Sequence, residues 1–193
     1  MLALIMYIKQ IERKNMNMAT RANIAIKENG KYKYIYNHCD SYIDDLGITL
    51  YKYFNDAEAA KTLVELGNTD SIYNTLENTA TSYREHLDRP SEKRGTVAHF
   101  RESKKWNDFC NYEVDWEECK PIETENISEI LTEEFTYIFD IEANKWLVAY
   151  DNDQYQIRDL EEVLHSKELL KKIFSIMYQD EYLPQFYKKC LNA

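Results

Sequence analysis

Glycine is scarce in this chain, with only 4 residues among 193. Folds that hold a phosphate on a glycine-rich turn need several glycines at fixed spacing after a strand. No such fingerprint occurs, which argues against a Rossmann fold and against a P-loop. The Gly-x-Ser-x-Gly, His-Glu-x-x-His and EF-hand patterns are missing as well. No cofactor or metal is therefore indicated.

Paired cysteines and long apolar runs are lacking too. The 4 cysteines form no Cys-x-x-Cys pair, so neither a zinc knuckle nor a thioredoxin-type motif is indicated. The apolar run at residues 2–8 is too short for a membrane span and has no basic segment before it. We expect a cytoplasmic protein with reduced thiols.

Basic residues are outnumbered, since 34 acidic side chains face 24 lysines and arginines and give a formal net charge of -10. Such a protein is repelled by nucleic acid and by anionic lipid. It is attracted to basic surfaces, including the nucleic-acid channels of other proteins. The charge therefore predicts no direct binding to nucleic acid or membranes, and it favours a basic protein partner.

Two β-hairpins are predicted from alternating residues. Residues 22–27 and 31–37 alternate around an Asn-Gly turn, and residues 134–141 and 145–150 alternate around a second turn. Residues 95–101 read as a further strand, and residues 68–94 and 103–126 as irregular connections. With the helices below, this pattern predicts an α+β domain around an antiparallel sheet.

Helical spacing recurs after the first hairpin and at the end of the chain. Residues 46–54 and 55–67 fit helices, with Asn55 or Asp56 as the cap and Gly67 as the end of the second. Residues 157–164, 167–178 and 181–191 read as C-terminal helices. We predict an extension or alternative start at 1–17, which could mediate a homodimer, a core at 18–156, and a helical segment packed on it at 157–193.

A polar stretch ends the first hairpin, where His38, Cys39 and Asp40 are adjacent. On an extended strand His38 and Asp40 would share a face and Cys39 would point away, which argues against a Cys-His catalytic pair. Two interpretations stay open. Asp40 or Ser41 caps the following helix and the stretch only shapes the turn, or His38 and Asp40 contact a ligand together.

Two arginines indicate the chemical class of such a ligand. Arg21 and Arg101 are placed on strands or at their ends, and arginines there could bind a phosphate through two hydrogen bonds. A pocket of Arg21, His38, Asp40 and Arg101 would suit a nucleotide. The alternative is that these arginines pair with nearby carboxylates.

An acidic segment follows in the second half of the chain, from Glu113 to Glu134, and its only basic interruption is Lys120. Asp151 and Asp153 continue it. Aromatic residues stand within and before it, and such residues anchor protein interfaces. A solvated loop is the simpler interpretation, but the tryptophans favour a partner. The predicted partner-binding residues are Trp106, Tyr112, Glu113, Asp115, Trp116, Glu117 and Glu118.

Several motifs resemble those of a family of small proteins from phages, prophages and plasmids. The start Met18-Ala19-Thr20-Arg21, the pattern Tyr36-x-His38-x-Asp40-x-Tyr42, the strand "GTVAHFRE" and the Lys145-Trp146 hairpin carry the resemblance, which covers roughly residues 18–150. Here Cys39 stands where many members have an aromatic residue, and Ser41 where many have glycine. The resemblance implies a mobile-element origin and a role against host immunity, inside an infected bacterium.

Charge and resemblance together predict a counter-defence protein of the anti-CRISPR kind that acts by binding and not by catalysis. Its acidic, aromatic-bearing surface would occupy the nucleic-acid-binding surface of a bacterial immune effector, such as a CRISPR-Cas complex. One alternative is sequestration of a nucleotide immune signal in the pocket described above. A second is a metal-dependent nuclease or nucleotide hydrolase that uses His38 with Asp40, Asp44 and Asp45.

Overall fold

A computed structural model describes residues 20–77, 79–80, 88–90, 95–98, 119–177 and 183–193. In these residues eight strands form one sheet, with helices packed mainly on one of its faces. The chain is therefore an α+β protein, as the pattern of strands and helices predicts. No helix in the described ranges has both the length and the apolar character needed to cross a bilayer.

Both predicted hairpins are confirmed. Strands β1 (Ala22–Glu28) and β2 (Lys31–Asn37) pair antiparallel, as do β6 (Phe135–Asp140) and β7 (Lys145–Tyr150). Asn29 and Gly30 join the first pair with φ angles of 51° and 78°. Two consecutive positive φ angles are what a tight hairpin turn with the twist of its strands requires, and Asn-Gly adopts them at little cost.

The prediction of an antiparallel sheet is wrong, because the sheet is mixed. Strand β1 runs parallel to β6, and β2 pairs in parallel with β3 (Thr69–Ser71). The two hairpins lie side by side through their first strands, which run in the same direction. This pairing joins residues 113 positions apart, such as Lys27 and Asp140, so no local pattern reveals it.

Short strands complete the sheet. Strand β4 (Val97–Ala98) is the described part of the predicted strand at 95–101, and β5 (Ile122–Thr124) and β8 (Arg158–Asp159) fall where a connection and a helix were predicted. The strand order is β4-β3-β2-β1-β6-β7-β8, and β5 pairs with β2 beside β3. Runs of two or three residues are too short to show a period of two, so the sequence did not indicate β5 and β8.

The helices follow from caps and apolar spacing. A π-helical turn (Ile43–Gly47) leads into α1 (Ile48–Tyr53), and α2 (Ala57–Glu65) begins at Asp56, whose carboxylate accepts the Ala59 N–H at 2.9 Å. Gly67 follows with a φ of 79°, the conformation that ends helices and favours glycine. Helices α3 (Leu160–His165), α4 (Lys167–Met177) and α5 (Leu183–Leu191) close the chain, and Pro184 lies in the first turn of α5.

The main core lies between the sheet and the helices. It combines inward residues of the two hairpins with residues of all five helices, among them Tyr137, Trp146, Leu63, Leu160 and Phe186. The opposite sheet face carries a smaller buried cluster of Ala25, Ile130 and Ile138. Tyr32 and Tyr34 pack against this smaller cluster and remain partly exposed. Because α3, α4 and α5 contribute to the main core, the C-terminal helices pack directly on the sheet.

Candidate functional site

The polar stretch after the first hairpin forms a turn at residues 38–41, which we call the strand-end turn. Its backbone is bonded to two other parts of the sheet. The His38 N–H donates to the Thr69 carbonyl at 3.0 Å and the Cys39 N–H to the Asp70 carbonyl at 2.7 Å. The Ser41 N–H donates to the Thr20 carbonyl at 3.2 Å. The turn therefore ties β2 to β3 and to Thr20, two residues before β1.

A buried side-chain network fixes the same turn. The Asn37 amide donates to the Cys39 carbonyl at 2.6 Å and to the Ser41 hydroxyl at 2.8 Å. The Thr69 hydroxyl donates to the Asn37 amide oxygen at 2.8 Å, and the Tyr137 hydroxyl donates to the Ser41 carbonyl at 2.9 Å. These buried polar groups satisfy one another, so much of the stretch serves to hold the strand-to-helix connection.

His38 and Asp40 do not share a strand face, because β2 ends at Asn37. The chain leaves the strand at Asn37, and Asp40 adopts a left-handed φ of 56° with its side chain exposed, whereas His38 is buried. The Tyr36 hydroxyl lies 2.8 Å from His38 Nδ1. The cap interpretation is also wrong, because the π-helical turn begins after Tyr42 and no side chain caps it.

The electrostatics of the turn work against a reactive thiol. Burial raises the pKa of Cys39 to about 12, and the charges of Asp70 and Asp40 add to the effect. Arg21 lowers that pKa, but it does not offset the larger causes. The Cys39 thiol donates to Asp70 Oδ1 at 3.8 Å. A nucleophilic cysteine needs the thiolate, so Cys39 is not suited to that role.

Carboxylates dominate the surroundings of the turn. Burial raises the pKa of Asp70 to about 6, and the charge of Asp40 contributes. Burial also raises the pKa of Asp45, which feels Asp40 and Asp44 on one side and Lys189 on the other. Lys189 pairs with Asp44 at 3.6 Å, and the charges of Asp40, Asp45 and Asp70 disfavour a phosphate beside them. Within the described ranges no group of histidine, cysteine and acidic side chains is arranged to hold a metal.

Only part of the predicted nucleotide pocket lies within the described residues. Arg21 is half-buried directly before β1, and its backbone N–H donates to Glu134 Oε2 at 3.2 Å. It lies within electrostatic range of Cys39. Arg101 lies outside the described residues, so the pocket of Arg21, His38, Asp40 and Arg101 stays a prediction.

The predicted partner-binding residues also lie outside the described residues: Trp106, Tyr112, Glu113, Asp115, Trp116, Glu117 and Glu118. The end of the acidic segment is described. Glu123 on β5, Glu129 on the short 3-10 turn Ile127–Glu129, and Glu125 between these two elements are exposed there. Asp153 differs from them, because Arg158 and Lys172 pair with it and its side chain is 8% exposed. The acidic surface therefore does not extend to Asp153.

Strand β5 places Ile122 and Thr124 beside aromatic rings of β2 and Glu123 beside a lysine. In its antiparallel register with β2, Ile122 faces Tyr34, Glu123 faces Lys33 and Thr124 faces Tyr32. Ile122 is 51% exposed, a high value for a residue of its size. Tyr34 is desolvated enough that burial raises its pKa, with Glu129 adding to the shift. We call Tyr32, Tyr34, Ile122, Glu123, Glu125 and Glu129 the β5 surface.

This surface was only partly visible in the sequence. The glutamates belong to the predicted acidic segment, whereas Ile122 and the two tyrosines were not singled out. The signal was the alternation in "KYKYIY" and "IETE", which puts rings and acids on defined faces once the two segments pair. The pairing itself joins residues about 90 positions apart and needed the structure.

A cleft of about 500 Å³ opens beside β5 on the side that faces α2. Its charged lining consists of Glu28, Lys31, Lys33, Lys61, Glu65 and Glu123. Each lysine there has a carboxylate partner: Lys31 binds Glu125 at 3.0 Å, Lys61 binds Glu28 at 2.7 Å, and Lys33 binds Glu65. Among the described residues, Glu123 is the carboxylate of this lining without an ion-pair partner.

Comparison of the chain with family models, with curated proteins and with solved structures finds no match.

Proposed function

We propose that the protein is a non-catalytic inhibitor that binds a basic, nucleic-acid-binding surface of a bacterial immune effector, such as a CRISPR-Cas complex. The observation that carries the proposal is the β5 surface, where Ile122 is exposed beside partly exposed tyrosines on one face of the strand, Glu123 is exposed on the other face, and Glu125 and Glu129 are exposed just after the strand. Interfaces combine an apolar or aromatic centre with a charged rim. The net charge of -10 adds long-range attraction to a basic partner.

Counter-defence is the context that the family resemblance suggests, since small accessory proteins of mobile elements often oppose host immunity. An acidic protein seated on a nucleic-acid channel competes directly with the phosphate backbone. Binding of the acidic protein to such a channel weakens as salt rises, because the attraction between its carboxylates and the basic surface is screened. The predicted partner residues from Trp106 to Glu118 belong to the same acidic segment of the sequence and stay part of the proposal.

The test is capture of candidate effectors by the immobilised protein at low and high salt, followed by displacement of labelled nucleic acid from any effector captured. The informative variant is the triple E123Q, E125Q and E129Q, which removes three charges from the β5 surface. The matched control is E58Q, E162Q and E168Q, which removes three exposed charges from helices α2, α3 and α4.

We expect the β5 triple variant to displace nucleic acid about tenfold less effectively than the control triple variant, since each rim charge contributes a fraction of a kcal/mol. Phage growth in cells that carry the targeted defence system should fall in parallel. Equal displacement by the two triple variants, or no salt-sensitive partner across the effector panel, would overturn the proposal.

The nucleotide alternative is less well supported, because the charge of Asp40 at the strand-end turn acts together with those of Asp45 and Asp70 and would repel a phosphate. Thermal-shift measurements with cyclic nucleotides and ADP-ribose derivatives examine it directly, since a ligand that binds only the folded state raises its stability.

A further inference from the structure

Strand β5 has one paired edge and one that the rest of the described chain leaves unpaired. It bonds to β2 over residues 122–124, and β3 meets β2 at the other end, at Asn37. The outer edge of β5 therefore faces away from the described sheet. An exposed sheet edge presents backbone N–H and C=O groups that can pair with another extended segment.

The side chains of β5 specify what kind of segment fits. Glu123 lies in register with Lys33 on the face towards α2 and lines the 500 Å³ cleft. Ile122 and Thr124 lie on the opposite face beside Tyr34 and Tyr32. Because side chains alternate along a strand, a segment paired with β5 would place one residue towards the cleft and its neighbours towards the tyrosines.

The charge of the site selects a basic residue for the cleft. The three lysines of the lining are already paired, whereas Glu123 has no ion-pair partner in the described residues. A lysine or arginine opposite Glu123 would pair with it, and apolar neighbours would cover Ile122. A second copy of this chain does not fit, because two β5 edges would bring glutamates opposite each other.

We propose that β5 is a strand-addition site that takes an extended segment of apolar–basic–apolar pattern from the partner protein, with the basic side chain in the cleft against Glu123. This deepens the proposed function and rests on it for the identity of the partner. Main-chain hydrogen bonds would provide the affinity, and the cleft and the tyrosine side would provide the specificity.

The probe is a fluorescein-labelled peptide with the repeat Val-Lys-Val-Lys-Val, measured by fluorescence anisotropy against the full chain. In a second peptide of the same sequence, every backbone amide nitrogen carries an N-methyl group. This peptide keeps its charges, but neither of its edges can donate the hydrogen bonds that strand pairing needs. Glu123→Gln tests the cleft contact. Glu168→Gln removes one exposed charge from α4 and serves as the matched control.

We expect saturable binding of the plain peptide, about tenfold weaker binding of the methylated one, because one or two net hydrogen bonds are lost, and about fivefold weaker binding to Glu123→Gln but not to Glu168→Gln. Equal binding of the two peptides would mean contact by charge alone and would overturn strand addition. So would the absence of saturable binding, or equal effects of the two substitutions.

The two proposals fail separately. If the peptide binds as expected and no effector loses nucleic acid, strand addition stands and the inhibitory function is wrong. If the β5 triple variant loses inhibition while the peptides do not discriminate, the surface acts by charge, and only strand addition is wrong.

Discussion

Asp70 is a carboxylic acid buried at 3% exposure where β3 meets the strand-end turn. Its pKa of about 6 lies above the ordinary 3.8, because burial disfavours the charged form and Asp40 repels it. The folded state thus holds the Asp70 proton more tightly than the unfolded state does. This contribution to stability is complete below about pH 4 and is lost as pH rises through about 6.

We expect Asp70→Asn to be more stable than wild type at pH 7.5, by as much as about 3 kcal/mol, because it removes the buried charge. The amide oxygen can still accept the Cys39 thiol. Urea unfolding at pH 4.5 and pH 7.5 measures the effect. Wild type should lose stability between these pH values, and the variant should lose less of it. Parallel pH profiles would contradict the raised pKa of Asp70.

Single residues predicted some local features of the chain and missed others. Asp56 as a cap and Gly67 as a helix end follow from side-chain and backbone chemistry that acts within a few residues, so both could be predicted. The left-handed φ of Asp40 and the Asn37 network could not, because they depend on Thr69 and on Tyr137 of distant strands. Rules based on neighbouring residues do not predict a backbone conformation that distant hydrogen-bond partners determine.

At the scale of elements, Asp153 connects the turn after β7 to helix α4. Its carboxylate accepts a hydrogen bond from the Arg158 guanidinium at 2.7 Å and another from the Lys172 ammonium group. Lys172 and Arg158 lower its pKa, with the hydrogen bond from Lys172 the largest cause. A lowered pKa means that the contribution to stability is present above about pH 4 and is lost as pH falls through the folded value.

We expect Asp153→Asn to lose about 2 kcal/mol of unfolding free energy at pH 7, the scale of hydrogen bonds between charged groups with limited exposure. Asp151→Asn is the matched control, since it removes the same charge from an exposed position of the same turn. Chemical denaturation at pH 7 and pH 2.5 provides the measurement. A deficit that persists undiminished at pH 2.5, or an equal loss in the control, would argue against the ion pairs.

Elements of six residues or more were largely predictable, and the short ones were not. The hairpins repeat every second residue, and α2 combines a cap with apolar spacing, so their signals lie within one window of sequence. Strands β3, β5 and β8 exist because β2 and β7 offer them an edge. That reason is tertiary. The sequence therefore does not reveal that Ile122, Tyr32 and Tyr34 belong to the candidate interface, because only the pairing of β5 with β2 brings them together.

At the scale of the whole molecule, the sheet and the C-terminal helices share one core. Phe186 of α5 is 5% exposed in the same cluster as Tyr137 and Leu160. Deleting a buried aromatic side chain leaves a cavity and typically costs 3–5 kcal/mol. The C-terminal helices should therefore unfold together with the sheet.

We expect Phe186→Ala to lower the unfolding free energy by about 3 kcal/mol and to keep a single transition. Gln185→Ala changes the exposed side of the same helix and should have little effect. During urea unfolding, far-UV circular dichroism follows mainly the helices, and tryptophan fluorescence follows the surroundings of Trp146 on β7. Two separated transitions, or a loss below about 1 kcal/mol, would show that α5 is dispensable to the core.

The parallel pairing of β1 with β6 also sets an order of events during synthesis. The first hairpin leaves the ribosome more than 100 residues before β6 does, since their paired residues lie 113 positions apart. At about 5–20 residues per second, β1 spends roughly 6–23 seconds without β6, its parallel neighbour. During that time Ile24 and Ile26, later buried, stay open to water and to chaperones. The first hairpin therefore waits for the second before its β1 edge is paired. A chain truncated before residue 135 lacks β6 and cannot form this pairing.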